Sequence, residues 1–142
     1  MIAIKELTKA SPKALEDINS LVYQLSERLP KCSMELLTKI VTDKNVELWV
    51  GRDGEDIVAM GTLAVVLMPE GERARIEDIV VDEKYRGKGL GEEISKQLIA
   101  RARQRQITSV TLSSRPDRVA ANSMYKKLGF VQWPTNVYKL QL

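Results

Sequence analysis

Between Arg75 and Ser113 the hydrophobic period changes twice. RIEDIVV reads as a strand, YRGKGLG supplies three glycines, Leu90, Ile94, Leu98 and Ala102 recur every four residues, and TSVTLSS returns to strand character. A strand, a long helix and a second strand in this order form a crossover unit whose two strands run parallel. That unit sets the class as a mixed α/β sheet.

The rest of the chain adds elements to it. Ile2 to Leu7 alternates as a half-buried strand does. From Pro12 to Leu29 the apolar residues Leu15, Ile18, Leu21, Val22 and Leu25 follow helical spacing, with Ser11 as N-cap and Pro30 as the stop. Ser33 opens a short helix through Leu36, Leu37, Ile40 and Val41. Glu47 to Arg52 and Ile57 to Leu67 are strands joined across Asp53-Gly54, a hairpin signal. Thr108 to Ser113 is the strand after the long helix. Val119 to Leu128 reads as a last helix stopped by Gly129, and Phe130 to Trp133 with Val137 to Leu142 as a closing hairpin. No repeat or linker divides the chain, so residues 1–142 are expected to form a single domain.

Composition narrows the chemistry. With 44% hydrophobic and 29% charged residues and no apolar run of membrane-spanning length, the expectation is a cytoplasmic protein with no membrane partner. There are no histidines, which removes Ser-His-Asp triads, Cys-His pairs and His-liganded metal sites, and no metal is expected. Acid-base work falls to Glu, Asp, Tyr, Lys, Cys, the chain terminus or water. The lone Cys32 reads as a packing residue or an inert thiol. A net charge of +3 and 5% aromatic residues argue against a nucleic-acid platform and suit a small anionic ligand. The RARQR run at the end of the long helix reads as cations placed on the negative end of the helix dipole.

The glycine loop suits phosphate. A turn of this kind entering a helix lets several backbone N–H groups converge without side-chain obstruction, and the helix dipole adds partial positive charge there. Arg86 and Lys88 add more, or are solvated loop cations. No Lys-Ser/Thr pair follows the last glycine, so it is not a Walker loop, and it lies too deep in the chain for a Rossmann fingerprint.

Arg86-Gly87-Lys88-Gly89-Leu90-Gly91 fits the R/Q-x-x-G-x-G/A loop of the GNAT superfamily of acyl-CoA N-acyltransferases, which this chain resembles. The preceding strand IEDIVVD, the following VTLSS and the later NSMYKKLGF agree with that family. The resemblance implies a mixed, mostly antiparallel central sheet of about seven strands with about four helices, one parallel strand pair splayed around coenzyme A. It implies acetyl-CoA as acetyl donor and a small-molecule or peptide amine as acceptor, with direct attack in a ternary complex, and it leaves a homodimer open. Ile79, Val80 and Val81 match the strand that runs beside the pantetheine arm. Arg86, Gly87, Lys88, Gly89, Leu90, Gly91 and Glu92 match the pyrophosphate loop. Tyr125 matches the tyrosine that protonates the leaving thiolate, against a reading of it as a core aromatic. Asn122 is a further coenzyme contact.

A free amine of pKa ~10 is mostly protonated at neutral pH, so an acceptor must take its proton. Glu77 is the first candidate, because strict alternation puts it on the face of Ile79 and Val81; its alternative is a pairing with Arg73, Arg75 or a neighbouring strand. Asp78 faces away unless a bulge re-aims it. IEDIVVDEKYRGKGLG is similar to glucosamine-6-phosphate N-acetyltransferases, in which the equivalent Glu-Asp pair, here Glu77 and Asp78, touches substrate. SSRPDRVAANSMY does not resemble that enzyme. The chain also departs from the family where Ser113 or Ser114 replaces a common Glu and Arg118 a common Asn. A non-catalytic coenzyme A-binding regulatory domain of the same fold is the competing reading.

Overall fold

In the computed structural model, which describes residues 1–142, Ser11 opens helix α1 (Pro12–Leu25) by accepting a hydrogen bond from the Ala14 amide. Ser33 opens α2 (Met34–Thr42) through the Leu36 amide in the same way. α1 stops short of the expected Leu29. The Ser26 carbonyl accepts from the Leu29 amide and its hydroxyl from the Arg28 amide, and this local turn displaces the helical ladder.

Strands β1 (Ile2–Glu6), β2 (Val46–Asp53), β3 (Asp56–Met68) and β4 (Gly71–Val81) are antiparallel neighbours in chain order. Helix α3 (Leu90–Gln104) then crosses over to β5 (Val110–Thr111), which pairs parallel to β4, and α4 (Val119–Lys127) follows.

Two cores hold the layers together. On one face Ile94 and Leu98 of α3 are fully buried against Leu63, Ile76, Ile79 and Tyr125. On the other, Ile18 and Leu21 of α1 and Leu37 of α2 pack on Leu48, Val50 and Val80. Each buried aliphatic side chain of this size is worth about 1.5–3 kcal/mol of transfer free energy. Gly61 lets α3 lie close to the sheet: a Cβ there would stand 2.8 Å from Ile94 Cγ2.

Three expectations are corrected. The sheet has five strands rather than about seven, and β5 is two residues long instead of spanning Thr108 to Ser113. The closing hairpin does not form. Phe130 turns back on α4, its amide bonded to the Tyr125 carbonyl and its ring edge-on to Tyr125 at 5.9 Å. Beyond it Trp133, Val137, Tyr138 and Leu140 are exposed and outside any strand. So short a β5 presents too little ladder to hold further strands, and Pro134 has no amide to donate to one.

Candidate active site

The site begins with a bulge in β4. Met60 pairs with Val80 and Thr62 with Glu77, so Gly61 stands opposite two residues, Asp78 and Ile79. Asp78 takes the left-handed conformation, with φ of 54°. The extra residue reverses the alternation. Ile76, Ile79 and Val81 all join the core under α3, while Val80 joins the core under α1. Glu77 therefore lies on the opposite face from Ile79 and Val81, not on their face as strict alternation predicts.

Beside the bulge the parallel pair opens. β4 pairs with β5 only at Ala74 and Arg75, leaving its edge from Ile76 to Val81 without a strand partner on that side. A recess of about 110 Å³ fills the gap, lined among others by Glu77, Asp78, Ile79, Leu112 and Tyr125. An extended amide-bearing chain laid there would find backbone donors and acceptors that no strand engages, as an added strand does.

The electrostatics separate the titratable groups. Partial desolvation by its neighbours pushes the Asp78 carboxyl above its ordinary range although the residue is exposed, and the neighbouring Glu77 charge pushes the same way. Glu77 instead accepts from Arg75, Nε to Oε1 at 2.8 Å, the pairing named as its alternative. Tyr125 is 7% exposed. Burial raises its hydroxyl above the usual tyrosine value, against the opposing charge of Arg118, so it is a proton donor at neutral pH.

At the far end of β4, Gly87 and Gly89 both have φ of 80°, and Gly89 is the N-cap of α3. The first helical bond runs from the Glu93 amide to the Gly89 carbonyl, so the amides of Leu90, Gly91 and Glu92 have no partner within the helix. With the helix dipole, these groups fit phosphate oxygens. Arg86 donates from Nε to the Val81 carbonyl at 3.0 Å, and the Lys88 ammonium lies 5.5 Å over the Tyr85 ring. Tyr85 donates to Asp53 at 2.7 Å, which ties the loop to β2. Glu92 is held below the ordinary carboxylate value by Lys96 and Lys127, at 2.9 and 3.0 Å.

The structure thus brings Glu77, Asp78, Ile79 and Tyr125 to one recess and places Arg86 to Glu92 around the start of α3. Asn122 is engaged elsewhere: its amide donates to the Arg115 carbonyl at 2.9 Å and braces the loop before α4. Sequence reasoning treated Arg118, Ser113 and Ser114 only as departures, yet Arg118 and Ser113 line the recess, and Leu25 reaches it from α1. The signal for Arg118 was its place seven residues before Tyr125, and that for Ser113 and Ser114 their place at the end of the strand after the long helix.

The acetyltransferase (GNAT) family model matches residues 13–130. The uncharacterized N-acetyltransferase ycf52 of Pyropia yezoensis is 43% identical over 67 residues, 47% of this chain and 37% of that protein. Glucosamine 6-phosphate N-acetyltransferase 1 of Oryza sativa subsp. japonica is 37% identical over 62 residues, 44% of this chain and 36% of that enzyme. The matched segments thus span little more than a third of these relatives' own length. Among solved structures, an acetyltransferase from Trypanosoma brucei superposes with a TM-score of 0.80 at 25% identity, covering 100% of both chains.

Proposed function

Because the chain belongs to the acetyltransferase (GNAT) family, we propose that it moves an acetyl group from acetyl-CoA to a primary amine by direct attack in a ternary complex. The observation that carries this reading is the opening of β4 from β5 beside Tyr125, with the uncapped start of α3 at its far end. The amides of Leu90, Gly91 and Glu92 hold the pyrophosphate of the donor. The edge of β4 at Ile79, Val80 and Val81, where Arg86 already caps the Val81 carbonyl, runs beside its pantetheine arm.

In the transfer, the amine nitrogen bonds to the acetyl carbonyl carbon as the carbon–sulfur bond breaks. Tyr125, kept protonated by its burial, gives its hydroxyl proton to the sulfur as negative charge develops there. Asp78 takes the amine proton. It is a better acceptor than Glu77, whose carboxylate is paired with Arg75, because it has no ion-pair partner, and partial desolvation together with the Glu77 charge raises its basicity although its side chain is exposed. Once the product leaves, Asp78 releases its proton to solvent and Tyr125 is re-protonated from it. Calorimetry with acetyl-CoA, followed by a thiol-release screen of amino sugars, polyamines, aminoglycosides and peptide N-termini, tests the reading. Binding together with amine-dependent thiol release is expected. Absence of acetyl-CoA binding by the folded protein overturns it.

A further inference from the structure

The recess between β4 and β5 continues outward into a cleft of about 340 Å³ lined by Leu25, Ser26, Ser113, Ser114, Arg115 and Arg118. Leu25, Ser113 and Arg118 line both spaces, so the two are contiguous. Their charges differ in sign. The inner space carries the carboxylates of Glu77 and Asp78, while the outer one has two guanidinium groups, three hydroxyls and no carboxylate in its lining.

The outer groups are also poorly satisfied within the protein. Arg118 is half-buried, and its guanidinium makes no ion pair or hydrogen bond. Arg115 has only a loose contact with Asp117, 3.9 Å, with both side chains more than 70% exposed. Ser114 Oγ is buried and has no hydrogen-bond partner. Arg118 is moreover the N-cap of α4, and no side chain caps that helix end, so its first amides add positive potential beside the guanidinium. A carboxylate or phosphate matches this set, since both accept the planar fork of an arginine and hydroxyl donors at once.

We propose that the acceptor is a small amine that itself carries an anionic group, carboxylate or phosphate, and that Arg118, with Arg115 and the Ser113 and Ser114 hydroxyls, binds this group and turns the amine toward Asp78. The inference rests on the acetyl-transfer reading above. It makes Arg118 a specificity residue that touches substrate and leaves the donor to the other end of the site.

Matched amines test it: 2-aminoethanol against 2-aminoethyl phosphate, glucosamine against glucosamine 6-phosphate, and alaninamide against alanine. Acetyl-CoA binding is measured separately by calorimetry. The anionic member of at least one pair should have a kcat/KM at least tenfold above its neutral partner, and the phosphate and carboxylate pairs show which anion is preferred. Arg118→Ala should abolish that preference, mainly through KM, with acetyl-CoA affinity unchanged. Arg118→Lys should restore it in part. Arg115→Ala, at an exposed site that leaves the fold undisturbed, should weaken it less. Inorganic phosphate or acetate should compete with the acceptor and not with acetyl-CoA. If acetyl-CoA binds and neutral amines are acetylated as well as their anionic partners, the proposal is overturned while acetyl transfer stands. Loss of acetyl-CoA affinity in Arg118→Ala, with acceptor preference intact, also overturns it by assigning Arg118 to the donor. Failure of acetyl-CoA to bind the wild-type protein overturns both.

Discussion

Arg101 meets both carboxylate oxygens of Glu47, Nε to Oε1 at 2.7 Å and Nη2 to Oε2 at 3.1 Å, and so ties α3 to β2 across the sheet. Glu47 is 5% exposed and also accepts from Trp49 Nε1 at 3.0 Å and from Arg105 Nη1 at 3.3 Å. The first and last arginines of the RARQR run are thus bound to one buried carboxylate, which gives those two cations a stronger structural role than complementing the helix dipole.

Removing one side of that clamp should destabilise the fold. Arg101→Ala should cost less than the roughly 3–5 kcal/mol of breaking a fully buried pair, because Arg101 keeps contact with solvent and Arg105 remains. Burial pushes Glu47 up, but hydrogen bonds from Arg101, Trp49 and Arg105 bring it below the ordinary carboxylate value. A depressed folded-state pKa contributes stability above the unfolded value of about 4.3 and loses it as pH falls through the folded value. Thermal melts across the acid range should therefore show a steeper loss in wild type than in Arg101→Ala. Parallel curves would count against the clamp.

Asp78 carries the opposite sign. Its folded pKa is raised, so its ionisation costs stability as pH rises through that value. Asn tolerates the left-handed conformation as well as Asp does. Asp78→Asn should thus be neutral or stabilising at pH 7 while lowering the acetylation rate, and the deficit should shrink at high pH, where the amine arrives deprotonated. Melts and a kcat/KM profile against pH check both halves. A profile parallel to wild type would remove Asp78 as proton acceptor.

Tyr125→Phe should leave melting unchanged, since a phenyl ring preserves the edge-on packing against Phe130. If the hydroxyl protonates the thiolate, kcat should fall by about 10²–10⁴-fold with little change in acetyl-CoA affinity. A coenzyme thiol of pKa ~8.5 is a tolerable leaving group, which favours the lower end. A rate within about twofold of wild type, far less than a general acid contributes, would return Tyr125 to a purely packing role.

At Gly89 a Cβ would meet nothing within 4 Å, so the cost of Gly89→Ala is that of the left-handed backbone, roughly 1–2 kcal/mol. Relaxing that conformation turns the first amides of α3 away from a common point, and acetyl-CoA affinity should fall while the protein stays folded. Unchanged affinity by calorimetry would overturn the phosphate assignment.

What the sequence determined is what local chemistry encodes. Ser11 and Ser33 cap their helices through amides three residues on, the four-residue recurrence from Leu90 to Ala102 writes α3, and the glycines of YRGKGLG write its N-terminal turn. Those signals sit within a turn or two of chain, so they are legible in it. The bulge at Asp78 was foreseeable only as an option, because it depends on which residue of β3 stands opposite. That residue is Gly61, which also admits Ile94 and Leu98 close to the sheet. The tertiary structure alone sets Glu77 against Arg75 and on the face away from Ile79, ends β5 after two residues, leaves the segment after Phe130 outside the sheet, and gathers Arg118 with Ser113 and Leu25 around the recess. Each of these is a choice among partners far apart in the chain, and cross-strand register and helix docking, rather than local propensity, make it.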